Sequence, residues 1–217
     1  MTKRLIIYDL DGTLVDTRED IARSANHMRE VFNLAPLDQA VIEGFVGRGL
    51  HFLVKSCLQT DDPKTLEKGS KIYRAFYAEH MLDHTLLYPG AKEVLDFFKD
   101  RLQAVITNKP NPYSRQILEA LGVAGYFVEI VAGDTDYPKK PDPSAVLAIM
   151  EREKITSTET LFVGDSVIDI ETGRNAGVET VVISHGFEGE DTLQSENPEA
   201  VVSSFSELLV LARQKEW

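Results

Sequence analysis

Apolar residues follow two rhythms along this chain. At the N-terminal end Leu5-Ile6-Ile7-Tyr8 is a short apolar run between Arg4 and Asp9, the mark of a buried strand. Beyond Thr13 the spacing becomes helical. Ile21, Ala25, Met28 and Phe32 recur at intervals of three or four residues, and Thr17 with Asp20 three positions on predicts the helix start. Pro36-Leu37-Asp38 opens a second short helix, and Leu50, Leu53, Val54 and Leu58 mark a third. Asp61-Asp62-Pro63 caps a fourth, which carries Leu66, Ile72, Tyr73, Phe76, Tyr77 and Met81. Gly44, Gly47 and Gly49 break up the stretch around Phe45-Val46. No strand is predicted from Thr17 to about Asp83, and Tyr88-Pro89-Gly90 punctuates the end of this helical block.

From there helices and strands alternate. Helices are predicted over 91–100, from Asn111-Pro112 to Gly122, from Asp142-Pro143 to about Glu153, and after Gly164-Asp165 as far as Ala176-Gly177. Strands are predicted over 103–107, 128–131, 160–163 and 179–183, with Val201-Val202 as a short last one. Ser204 with Glu207 reads as a capping box for a final helix, and the polar 188–198 stretch as a surface loop. Alternation of this kind predicts an α/β fold: a doubly wound parallel sheet, Rossmann-like, with an inserted small helical cap. Residues 1–15 and 86–217 would form the core domain and 16–85 the cap. A block inserted directly after a strand end sits over its mouth.

Composition narrows the partners. The formal net charge of −12 over 217 residues leaves no basic excess for nucleic acid or an anionic membrane. Any positive field for an anionic substrate must therefore be local. Cys57 is the only cysteine, so no intrachain disulfide can form, which suits a reducing compartment. The N-terminal apolar run is too short for a signal peptide or a span, and a cytoplasmic protein is expected. A monomer or a homodimer is equally compatible with the sequence.

Four strand ends carry the candidate chemistry. Asp9 and Asp11 leave the first strand with Gly12 and Thr13 behind them. If the strand runs on through both, alternation aims the two carboxylates the same way, and a hard cation such as Mg²⁺ would offset their repulsion. The plainer alternative is a helix-cap cluster. Thr107-Asn108-Lys109 ends another strand with a hydroxyl and an amide able to hold phosphate, although both are also ordinary turn residues. Lys139 and Lys140 sit in a proline-stiffened loop, as phosphate-binding cations or as solvated surface charges. Asp165 and Asp169 follow a fourth strand. Asp165 offers a third carboxylate oxygen, or both acids merely favour a helix N-terminus. In the helical block, Arg48 between two glycines is either a clamp for a substrate carboxylate or a solvated loop residue.

In this order Asp9-x-Asp11-Gly12-Thr13, Thr107-Asn108, Lys140-Pro141-x-Pro143 and Gly164-Asp165-Ser166-x-x-Asp169 resemble the haloacid dehalogenase superfamily over essentially the whole chain. Thr107-Asn108-Lys109-Pro110 and Val46-Gly47-Arg48-Gly49-Leu50 are similar to its phosphoglycolate phosphatase-like members. The resemblance implies a Mg²⁺-dependent phosphatase acting on a small anionic phosphorylated metabolite, 2-phosphoglycolate as the best match. Asp9 would be the nucleophile and Asp11 the general acid and base. Mg²⁺ would be held by Asp9, Asp165 and the main-chain carbonyl of Asp11. Thr107, Asn108 and Lys140 would bind the phosphoryl group, with Asp169, Gly12, Thr13 and Ser166 in support. Asp11 argues against a dehalogenase, whose leaving halide needs no proton. A phosphosugar mutase or a pyrophosphatase shares the motifs. A phospho-accepting signalling domain uses similar residues but lacks a large helical insert.

Overall fold

The apolar N-terminal run forms β1 (Leu5–Tyr8), with all four residues buried. Ile6 and Tyr8 join one hydrophobic cluster, Leu5 and Ile7 another, so alternation sends side chains into cores on both faces of the sheet. The computed structural model describes residues 2–217. After β1 come β2 (Val15–Asp16), then α1 (Arg18–Val31), α2 (Gln39–Glu43), α3 (Leu50–Leu58) and α4 (Pro63–His80), then β3 (Leu86–Leu87). The alternating part follows: α5 (Ala91–Phe97), β4 (Leu102–Ile106), α6 (Tyr113–Ala120), β5 (Glu129–Val131), α7 (Ser144–Glu153) and β6 (Thr160–Gly164). It ends with α8 (Val167–Ala176), β7 (Glu179–Ile183), α9 (Glu190–Ser195), β8 (Ala200–Val202) and α10 (Phe205–Gln214).

The main sheet has the order β5-β4-β1-β6-β7-β8, with every pairing parallel. The chain winds outward from β1 in both directions, first to β4 and β5, then to β6, β7 and β8. Strand order reverses at β1, so the C-terminal ends of β1, β4 and β6 open onto a crevice that no crossover closes. Tyr73 and Tyr77 of α4 and Leu50 and Leu53 of α3 line one cavity together with Asp9, Asp11 and Thr107. The helical block therefore covers the crevice. Among the described residues, no helix is long and apolar enough to cross a membrane.

Two strands escape the periodic reading. β2 and β3 are two residues each and pair antiparallel, Val15 with Leu87 and Asp16 with Leu86. A two-residue strand has no period to detect. The pair marks where the chain leaves the sheet and comes back. Buried Asp20 fixes the return: its Oδ2 accepts from the backbone N–H of His84 at 3.0 Å, that of Thr85 at 2.9 Å and the Thr85 hydroxyl at 2.9 Å.

Thr17 and Asp20 do open α1, but neither caps it. The Thr17 hydroxyl donates to Asp11 Oδ1 at 2.8 Å, and Asp20 serves the returning chain instead. The 188–198 stretch, expected as loop, contains α9. The pair at the head of α10 is only half a box: Ser204 accepts from the Glu207 amide, whereas the Glu207 carboxylate takes the Ser203 amide at 2.7 Å.

Candidate active site

Three adjacent strand ends and one loop converge on the crevice. Asp9 follows β1, Thr107 follows β4, Asp165 follows β6, and Lys140 comes from the segment between β5 and α7. Lys140 Nζ lies 2.7 Å from Asp9 Oδ1 and 2.6 Å from Asp169 Oδ1, and all three residues are buried. Burial pushes the Asp9 carboxyl up to about 7; Lys140 opposes the rise, while Asp169 and Asp11 add to it. Burial works against charge on Lys140, but the Asp169 and Asp9 carboxylates outweigh it and hold the ammonium above its ordinary value.

Asp165 is also buried. Its Oδ1 accepts from the Thr13 hydroxyl at 2.6 Å and its Oδ2 from the Phe187 amide at 2.9 Å. Burial raises its carboxyl, and Asp169 and Asp9 raise it further. Asp9, Asp165 and Asp169 each bring an oxygen within 4.8 Å of the others. Asp169 is already committed: Oδ1 to Lys140, and Oδ2 to the Asp165 amide at 3.2 Å and the Ser166 amide and hydroxyl at 3.1 and 2.7 Å. Ser166 and Asp169 also form the capping box of α8. Asp9 Oδ1 has no hydrogen-bond partner of proper angle despite the nearby ammonium. Three buried carboxylates against one ammonium leave excess negative charge. An oxygen-liganded divalent cation would offset it, with Asp9 and Asp165 as the acids still able to ligate.

Gly12 makes that approach possible. Its φ of +86° lies in the left-handed region, and a Cβ there would stand 2.3 Å from Asp165 Oδ2 and 2.5 Å from Phe187 Cδ2.

Asp9 and Asp11 line the same cavity but take different partners. β1 ends at Tyr8, and the chain turns before Asp11, which bridges to Val15. The Asp11 carboxylate therefore leaves the acidic cluster. Lys109 Nζ lies 2.9 Å from its Oδ1 and 3.2 Å from its Oδ2, and Thr17 donates to Oδ1 as well. The two side chains thus have different lysine partners, Lys140 for Asp9 and Lys109 for Asp11, because β1 ends at Tyr8 and the chain turns at Leu10 between them.

Thr107 is buried, lines the cavity and accepts from the Lys109 amide at 3.1 Å. The Asn108 carboxamide, expected to hold phosphate, is spent elsewhere. Its Nδ2 donates to the Gly47 carbonyl at 2.8 Å and the Lys140 carbonyl at 3.0 Å, and its Oδ1 accepts from the Lys140 amide at 2.9 Å. It clips the lysine loop and the helical block together. Arg48 is exposed, with its guanidinium 5.0 Å from the centre of the Phe52 ring, and does not line the cavity. Lys109, Thr17 and the Phe187 amide are contributors that sequence reading did not assign. Lys109 had a signal, since it follows Thr107-Asn108 on the same strand end; a main-chain amide has none.

The family model for haloacid dehalogenase-like hydrolases matches residues 6–183. The phosphoglycolate phosphatase of Vibrio parahaemolyticus is 35% identical over 217 residues, covering 95% of this chain and 94% of the relative. That of Pseudomonas putida is 32% identical over 215 residues, covering 95% and 78%. A crystal structure from Haemophilus somnus, described as a predicted phosphoglycolate phosphatase, superimposes with a TM-score of 0.93 at 26% identity, over 98% of this chain and 99% of the other.

Proposed function

This chain belongs to the haloacid dehalogenase-like hydrolases and is a phosphoric monoester hydrolase, and we propose that its substrate is 2-phosphoglycolate, hydrolysed with Mg²⁺ through an aspartyl-phosphate. The observation that carries the chemistry is the buried acidic cluster around Lys140 at the end of β1, with a second aspartate two residues on in the same cavity. The substrate reading is supported by relatives named for phosphoglycolate.

Asp9 is the nucleophile. Its oxygen attacks phosphorus, the ester P–O bond breaks, and Asp11 protonates the departing alkoxide. Asp11 then takes a proton from water, which attacks the aspartyl-phosphate and releases inorganic phosphate. Lys140 holds Asp9 in place and, with Thr107, binds the phosphoryl oxygens. Asp169 positions Lys140, and Ser166 positions Asp169. Bound at Asp9, Asp165 and the main-chain carbonyl of Asp11, Mg²⁺ would neutralise charge on the phosphoryl group. Residues 16–85 act as the cap that excludes water from the phosphoenzyme. A single, buried, unpaired Cys57 is consistent with a cytoplasmic setting.

The test is phosphate release from a panel of 2-phosphoglycolate, pyrophosphate, sugar phosphates and nucleoside monophosphates, with and without Mg²⁺, for the native chain and Asp9→Asn. The reading expects Mg²⁺-dependent release that is fastest on 2-phosphoglycolate and absent from the variant. A faster rate on any other ester overturns the substrate, and an active Asp9→Asn protein overturns the nucleophile.

A further inference from the structure

Lys109 is a buried cation that faces the cavity while bound to a residue the reaction needs free. Its Nζ touches both Asp11 oxygens and lies 4.6 Å from the centre of the Tyr77 ring. Among the described residues it is the one lysine or arginine lining that cavity; beside it the wall is largely apolar, with Ile21, Phe45, Val46 and Leu53. Tyr77 lines the same cavity, is 1% exposed, and its hydroxyl has no hydrogen-bond partner. A buried ammonium beside an unpartnered hydroxyl, within an apolar wall, is a site built for an anion. In this state Asp11 is tied up, with Oδ1 shared between Lys109 and Thr17 and Oδ2 held by Lys109.

We propose that Lys109 and Tyr77 form the subsite for a second anionic group of the substrate, a carboxylate, and that this group draws Lys109 off Asp11. The proposal rests on the reading of Asp9 and Asp11 as the phosphoryl-transfer pair. A carboxylate in the subsite accepts from the Tyr77 hydroxyl and the Lys109 ammonium, and Asp11 keeps only Thr17. Its carboxyl then turns to the ester oxygen. An ester with a neutral tail leaves the hydroxyl unmet and Lys109 on Asp11. Selectivity thus arises from polar groups that only the right substrate satisfies. Arg48, outside the cavity, has no part in it.

The experiment measures kcat and KM, with Mg²⁺ present, for 2-phosphoglycolate and for ethyl phosphate, in which a methyl stands for the carboxylate. Lys109→Met lowers kcat/KM for 2-phosphoglycolate by about a hundredfold, mostly through KM, and that for ethyl phosphate by no more than about tenfold. Tyr77→Phe narrows the preference by about fivefold, and Lys109→Arg retains it. Equal losses on both esters in Lys109→Met would make the lysine a structural support and overturn the subsite. Lys109→Arg and Tyr77→Phe carry the same test should the methionine variant fold poorly. A native enzyme preferring a different carboxylated ester overturns 2-phosphoglycolate alone, and the subsite then stands or falls on the same ratio for that ester. A native enzyme indifferent to a second anion in every ester overturns the subsite while leaving the phosphatase reading intact.

Discussion

Asp9 and Asp11 are two residues apart and are neutralised by different lysines. Lys140 Nζ lies 2.7 Å from Asp9 Oδ1, and Lys109 Nζ lies 2.9 Å from Asp11 Oδ1. One lysine belongs to the acidic cluster and the other to the cavity wall. The two aspartates therefore occupy distinct electrostatic settings, as two carboxylates with different tasks require.

Asp9→Asn should abolish turnover yet raise the stability of the metal-free protein. Burial lifts the Asp9 carboxyl from 3.8 to about 7. The folded state then holds its proton more tightly than the unfolded chain does. The stabilising effect of that proton is full below about pH 4 and is lost as pH rises towards 7. In EDTA, the unfolding free energy of Asp9→Asn should exceed that of the native protein by about 4 kcal/mol at pH 8 and match it at pH 4. Added Mg²⁺ should close the gap at pH 8. A gap that stays constant with pH would show that Asp9 is not the strained acid.

Lys140→Met leaves Asp9, Asp165 and Asp169 with no ammonium. Activity should fall at least about a thousandfold, and stability by about 3–5 kcal/mol at pH 8. At pH 5 the stability loss should shrink, since the stranded carboxyls can take up protons. Denaturant unfolding at the two pH values tests this, and an equal loss at both would place the defect in packing instead of charge.

Gly12→Ala must place a methyl 2.3 Å from Asp165 Oδ2 on a backbone with φ of +86°. The backbone strain alone costs about 1 kcal/mol. The larger consequence is displacement of Asp165. The metal concentration for half-maximal activity should rise about tenfold or more, with secondary structure retained by circular dichroism. An unchanged metal requirement would detach Asp165 from the metal site.

Arg48→Ala should change the preference for 2-phosphoglycolate over ethyl phosphate by less than about threefold. Its guanidinium rests over Phe52 outside the cavity, a contact contributing about 0.5–1 kcal/mol at an exposed site. Steady-state kinetics on the two esters decides it. A shift as large as that of Lys109→Met would restore the arginine as the carboxylate clamp.

The sheet was legible because strands announce themselves locally. Leu5-Ile6-Ile7-Tyr8, 160–163 and 179–183 are apolar over a strand's length and bounded by charge or turn residues, and their helices carry caps and glycine stops. Parallel alternation then obliges the residues at their C-terminal ends to share one edge. Sequence alone therefore places Asp9, Thr107 and Asp165 on that edge. β2 and β3 were not legible, because two residues carry no period, and their pairing depends on a return of the chain 70 residues later, Asp16 to Leu86.

Side-chain partners are a different matter. Thr17 and Asp20 have the spacing of a helix cap, yet one serves Asp11 and the other the chain at Thr85. Asn108 has the chemistry of a phosphate ligand, yet its amide is spent on Gly47 and Lys140. The amino-acid sequence by itself determined the elements, their order and the strand ends where chemistry collects, since periodicity and turn chemistry act between near neighbours. Only the tertiary structure decided which lysine answers which aspartate. Lys109 meets Asp11 across 98 positions of chain, and Lys140 meets Asp169 across 29. Charge pairing is settled by where loops land in space, which no local pattern records.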